Sequence, residues 1–239
     1  ARFDEFDISV VDVKNAGERR SRKDSEISPR AGLIYKPQEN VSIYASYSES
    51  FLPRSGEQFA NINGDKNQLD PDTYSNRELG LKWDISGRLN VSAAIFEIES
   101  SSPQVADSDP STLDVIDSTI EGFEAQVNGQ LTDDWGVAVG YSYLDGEVVD
   151  EFGATGRRLR ELPQNMFSVW STHQVTPRLG FGLGLTYQDD SFINQSNTAV
   201  LPSYTRIDAA FYYDVSERLS VQLNIDNLAD ELYFPNAHS

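Results

Sequence analysis

Five stretches of the chain repeat one pattern, a short polar turn followed by a run in which apolar residues alternate with small or polar ones. After Pro177 and Arg178 come Leu179, Phe181, Leu183, Leu185 and Tyr187, separated by Gly180, Gly182, Gly184 and Thr186. The same plan opens at Val41, Leu89, Trp135 and Leu219, so the starts are spaced forty-odd residues apart with a drift. A strand also precedes each turn. Leu79, Leu81, Trp83 and Ile85 alternate with polar or small residues, as do Phe123, Ala125 and Val127, and Thr205 through Tyr213. Alternation with a period of two predicts strands with one apolar and one polar face. The drift speaks against a solenoid of fixed repeat length and for a series of hairpins with unequal loops.

The two ends of these hairpins differ. One end has tight turns rich in Ser, Gly, Pro and Asp. The other carries long polar segments at about residues 52–73, 101–114, 148–162, 189–202 and from 229 onward. The pattern predicts an all-β, antiparallel up-and-down sheet of about eleven strands.

The faces of that sheet are unusual for a soluble protein. The apolar face is bulky, and the opposite face mixes glycine, serine and charge. An inverted arrangement accounts for this, with apolar side chains directed into lipid and the small and polar ones into a lumen. Strands that cross a bilayer need about 9–11 residues and carry aromatic residues at both interfaces. Trp83 and Trp135 near the short turns, with Tyr47, Tyr143 and Tyr187 toward the long loops, fit two such girdles. Glycines on the inner face are expected to leave room for something inside the barrel.

Composition narrows the functions. The net charge of -19, from 38 acidic and 19 basic residues, opposes binding to nucleic acid, whose phosphates need clustered cations. The chain has no cysteine, which excludes disulfides and thiolate metal sites. His173 and His238 are too far apart to suggest a zinc site. No run approaches the roughly 20 apolar residues of a membrane helix. No G-x-S-x-G and no histidine beside an acid appears, so catalysis is not expected.

Longer segments carry a family resemblance. SPRAGLIYKPQENVSIYASYSESFLPRSGEQF (Ser28 to Phe59) and LDPDTYSNRELGLKWDISGRLNVSAAIFEIE (Leu69 to Glu99) resemble TonB-dependent siderophore receptors. Leu162 and Pro163 entering a strand, LPSYTRIDAAFYYDV (Leu201 to Val215) and NIDNLADELYF (Asn224 to Phe234) are similar to later barrel segments of that family. The resemblance implies a transmembrane β-barrel of 22 strands in the outer membrane of a Gram-negative bacterium, plugged by a separate N-terminal domain. It implies binding of ferric siderophores as cargo, with no resident cofactor, and import with energy relayed by the TonB complex through the plug. Residues 1–239 are then expected to be a C-terminal portion of the barrel, without the plug, the first half of the barrel or the final strand.

Bulky anionic chelates call for cationic donors and aromatic surfaces in the outer mouth. The candidates on the loop side are Arg54, Gln58, Phe59, Arg157, Arg158, Arg160, Phe192, Tyr233 and Phe234. The Arg157–Arg160 cluster could equally meet lipopolysaccharide phosphates or stand as a solvated loop. The run from Arg19 to Lys23 reads as a solvated loop too. Asp107, Asp109 and Asp114, and Asp189 with Asp190, could hold calcium, but they lack the D-x-D-x-D-G arrangement and read as solvated charge. Inward Glu78, Lys82 and Asp84, and Arg206 with Asp208, are expected to form lumen ion pairs. Two alternatives stay open: a TonB-dependent receptor for another cargo such as a cobalamin or an oligosaccharide, and a soluble β-rich adhesion or carbohydrate-binding module.

Overall fold

The computed structural model describes residues 1–12, 18–53, 70–105, 113–149 and 156–237. Among them are fourteen strands and no helix. Ten form one antiparallel sheet: β3 (Arg30–Gln38), β4 (Val41–Leu52), β5 (Asp72–Asp84), β6 (Leu89–Val105), β7 (Leu113–Gln130), β8 (Trp135–Val149), β9 (Asn165–Thr176), β10 (Leu179–Gln188), β13 (Tyr204–Ser216) and β14 (Leu219–Ile225). Each pairs with its neighbour in chain order, the up-and-down meander that the alternation predicts. A second sheet pairs β1 (Arg2–Asp12) with β2 (Glu18–Ser28). A third pairs the two-residue strands β11 (Ser191–Phe192) and β12 (Val200–Leu201).

Only Pro29 separates β2 from β3. Proline has no N–H to give to a ladder. Its carbonyl still accepts from Glu49 N at 3.0 Å, so the two strands are one run interrupted at a single residue. Counted so, and leaving aside the two-residue pair, eleven long strands remain. The basic run Arg19–Lys23, expected in a loop, lies in β2, where Lys23 pairs with Glu5 at 2.9 Å and Arg22 with Asp24 at 2.6 Å. Strands β6 and β7 likewise extend into the segment expected to be a loop at 101–114.

The register lines up one face row by row. Leu33, Ala45, Leu79, Ile95, Phe123 and Tyr143 stand opposite one another across β3 to β8. The next row toward the long loops is Ala31, Tyr47, Arg77, Glu97, Glu121 and Asp145. An apolar row therefore abuts a charged one across four strands, β5 to β8. Arg77 bonds Glu97 and, at 3.1 Å, Glu99. Near the short turns the same face carries the row Trp135, His173, Phe181, Phe211 and Leu223. Leu179, Phe181 and Leu183 are exposed, while Gly180, Gly182 and Gly184 are buried. Only five apolar residues of the described chain are buried, so the large side chains have no interior to fill.

The expectation that inner-face glycines leave a vacancy needs correction, because this chain fills it. Trp170 is the ladder partner of Gly184 and spreads across the neighbouring strand. A Cβ added at Gly184 would stand 2.5 Å from Trp170 Cε3, and one at Gly182 2.6 Å from its Cζ2. Tyr44 covers Gly80 and Phe96 covers Gly122 in the same cross-strand manner. Glycine is required at these places by the close approach of a ring.

Candidate ligand-binding rim at the long loops

The rim is built where strand pairing changes hands. Above Tyr143, β8 has no partner in β9, which begins at Asn165. The segment 156–164 takes its place: Val148 N donates to Arg157 O at 2.8 Å, Leu159 N to Gly146 O at 2.9 Å and Leu144 N to Gln164 O at 2.8 Å. This loop extends the wall of the sheet and satisfies backbone groups that a free loop would leave to water.

Its far side is held by the β11–β12 hairpin. Asn197 has φ 55, in the left-handed region that asparagine tolerates well. Its carboxamide imitates a peptide group. Oδ1 accepts from Arg158 N at 2.9 Å and Nδ2 donates to Arg158 O at 2.9 Å. Glu161 N donates to Phe192 O at 2.7 Å. With its backbone clamped, Arg158 lays its guanidinium over the Phe192 ring, 5.5 Å from the centroid. A cation held on an aromatic face keeps its N–H edges free for an incoming anion.

Asp189, at the base of the same hairpin, is more than solvated charge. It accepts from Tyr187 Oη at 2.5 Å, from Asn165 Nδ2 at 2.6 Å and from Asn165 N at 3.1 Å. The Tyr187 hydroxyl first, then the Asn165 side chain, hold its carboxyl below the usual carboxylate range. Among the described residues, no three metal-ligating side chains come together.

A second cluster lies at the loop end of β13. Tyr233 stacks on Tyr204 with centroids 4.6 Å apart, and its hydroxyl accepts from Arg206 Nη1 at 3.1 Å. Arg206 also pairs with Asp208 at 3.0 Å, as the sequence suggests. The chain is turned back onto this cluster by Asn227, whose N–H donates to Asp208 Oδ1 at 2.8 Å and whose Oδ1 accepts from Glu231 N at 3.0 Å. The other expected ion pairs take different forms. Glu78 accepts from the Tyr44 hydroxyl, Lys82 stands over the Tyr44 ring, and Asp84 accepts from Gly87 N.

Of the expected site residues, Arg158 and Phe192 are brought together, and Tyr233 joins Arg206 instead. Arg157, Arg160 and Phe234 are exposed. Arg54, Gln58 and Phe59 lie outside the described residues, as do Asp107, Asp109 and His238. Asn197, Asn165 and Tyr204 were missed. For Asn197 the signal was the Asn-Gln-Ser-Asn-Thr run, a turn composition read only as loop.

The chain matches the family described as TonB dependent receptor-like, beta-barrel, over residues 1–228. It belongs to that family. The family's barrel fold places the bulky apolar face of the sheet outward against lipid and the glycine-bearing face inward. The probable TonB-dependent siderophore receptor PiuA of Acinetobacter baumannii is 34% identical across 100% of this chain and 35% of its own length. The ferrioxamine B receptor of Salmonella typhimurium is 31% identical across 100% of this chain and 35% of its own. The crystal structure of the A. baumannii receptor superposes with a TM-score of 0.89 at 32% identity, covering 99% of this chain and 37% of that one. The chain thus spans about a third of the length of these receptors. The proteins matched are receptors rather than enzymes.

Proposed function

We propose that this chain forms the later barrel wall of an outer-membrane receptor that binds ferric siderophores at the long-loop rim. Cargo then passes inward with energy relayed by TonB through a plug domain. The observation that carries this reading is Arg158, fixed by Asn197 and laid over Phe192 in a family whose matched relatives include a probable TonB-dependent siderophore receptor and a ferrioxamine B receptor. A cationic and aromatic surface suits an anionic chelate. Arg157 and Arg160 on the same segment raise the local positive charge of an otherwise acidic chain. The open edges of β3 and β14 suit a longer sheet that closes around the plug.

The test is binding of ferric chelates by the whole receptor in outer-membrane vesicles. Arg158→Glu should weaken an anionic chelate by about ten- to a hundredfold, the equivalent of a charge-assisted hydrogen bond of roughly 1.5–3 kcal/mol. Receptor abundance is the control. Unchanged affinity at normal abundance sinks the role of Arg158, and binding of a cobalamin or an oligosaccharide in place of every chelate sinks the cargo.

A further inference from the structure

A polar ring stands on the face that the barrel turns to lipid. His173 on β9 lies between Trp135 on β8 and Phe181 on β10, stacked against both. The centroids are 5.3 Å and 5.1 Å apart, and the planes are inclined by 21° and 18°. All three belong to a row near the short turns that is otherwise wholly apolar or aromatic, with Leu179, Tyr213 and Val221 beyond it toward the turns of β10 and β13. Aromatic residues at this level form the membrane-interface belt, but a histidine in the middle of one costs desolvation unless its nitrogens are used.

One nitrogen is used. Trp135 Nε1, which can only donate, gives its hydrogen to Ser171 Oγ at 2.9 Å. Ser171 Oγ lies 3.1 Å from His173 Nε2 and has its own hydrogen to give. Read in that direction, Nε2 accepts and the ring proton sits on Nδ1. No protein partner meets Nδ1 among the described residues. A donor is therefore presented at the membrane edge, with both faces of its ring covered by aromatic carbon.

The hairpin tip beyond it carries Arg178, whose side chain joins no ion pair among the described residues. Val137 on β8 and Leu183 on β10, the partners of Ser171, carry no charge. Asp134 and Asp214 adjoin the site through the backbone bonds from Gln174 N to Asp134 O at 2.8 Å and from Asp214 N to Arg178 O at 2.9 Å, and Asp133 is paired with Arg88. An N–H donor in the interface with a cation toward water, above an apolar surface for acyl chains, matches the order of groups along a phospholipid. We propose that His173 and Arg178 form a binding site for the phosphate of a phospholipid in the leaflet at the short turns, with the Trp135–His173–Phe181 stack as its floor. The site is separate from the cargo rim at the other end of the strands, so it stands whether or not the siderophore reading does.

The test uses the whole receptor in vesicles doped with phosphatidylglycerol that carries a photoactivatable diazirine on its headgroup. Crosslinks are mapped by peptide mass spectrometry. Label should concentrate on residues 173–181, and His173→Phe, which keeps three stacked rings but removes both nitrogens, should lower it there by about two- to tenfold. Arg178→Gln should lower it in the same direction. A diacylglycerol with the same diazirine and no phosphate should not concentrate there, and millimolar inorganic phosphate should not displace the lipid. Heat-modifiable gel mobility reports folding, and His173→Leu is the second variant if His173→Phe does not fold. Undiminished label in a folded His173 variant overturns the site and leaves an aromatic girdle. Equal labelling by the phosphate-free lipid, or displacement by inorganic phosphate, overturns the phospholipid assignment.

Discussion

Trp170 packs against Gly184, its direct partner in the β9–β10 ladder, so the glycine is a seat for the indole. The bare inner face of β10 is thereby explained by an aromatic residue on the strand beside it. Each such pair joins two neighbouring strands across their hydrogen-bonded ladder. In a sheet that buries few apolar side chains, these pairs are a main source of packing.

Gly184→Ala should therefore destabilise the folded barrel by about 1–3 kcal/mol, because the new methyl group meets the indole ring. Urea unfolding in detergent gives the value. Combined with Trp170→Ala, the glycine substitution should cost less than it does alone, and strict additivity would contradict the contact.

Asn197→Ala removes two hydrogen bonds to the Arg158 backbone, each worth roughly 0.5–1.5 kcal/mol, and places alanine at φ 55. The loss should be local. Proteolysis within 156–201 should quicken while the global unfolding midpoint stays within error, and Asn197→Gly should be intermediate because it relieves the backbone alone.

Asp189 gives the rim a pH dependence of defined sign. Its folded-state value is depressed below the ordinary 3.8, so its contribution is fully present above that value and is lost as pH falls through the folded one. Protection of the Asn165 and Asp189 amides against hydrogen exchange, taken relative to the intrinsic rate at each pH, should fall on acidification in this range. In Asp189→Asn this step should vanish.

Produced alone, the chain should require detergent. Leu33, Leu79, Ile95 and Phe123 stand exposed in one row, and β3 and β14 each have an edge without a partner strand among the described residues. Light scattering in plain buffer should report aggregates, and a stable monomer there would contradict the lipid-facing assignment.

The alternation of Leu179 through Tyr187 was enough to read the strands, the faces and the meander, because a period of two leaves little freedom once one face is apolar. The family resemblance carried the reading from hairpins to a barrel. What was hidden has physical causes. Strands β6 and β7 continue through Ser100, Ser101, Ser102 and Ser118 above the apolar band, where the serine-rich composition imitates a loop. Arg19–Lys23 misled for the same reason. Pairing of Arg158 with Phe192 depends on Asn197, 39 residues away, and no local pattern encodes such a contact.

The charged row of Arg77, Glu97, Glu121 and Asp145 touches the apolar row of Leu79, Ile95, Phe123 and Tyr143 with nothing between them. Sinking the barrel by one row would drag four ionisable groups into hydrocarbon, where each is costly. Raising it by one row would wet a line of large apolar side chains. On β5 to β8 the sheet thus has a waterline one residue pair thick, and the loops above it are held at a fixed height over the membrane whatever they bind.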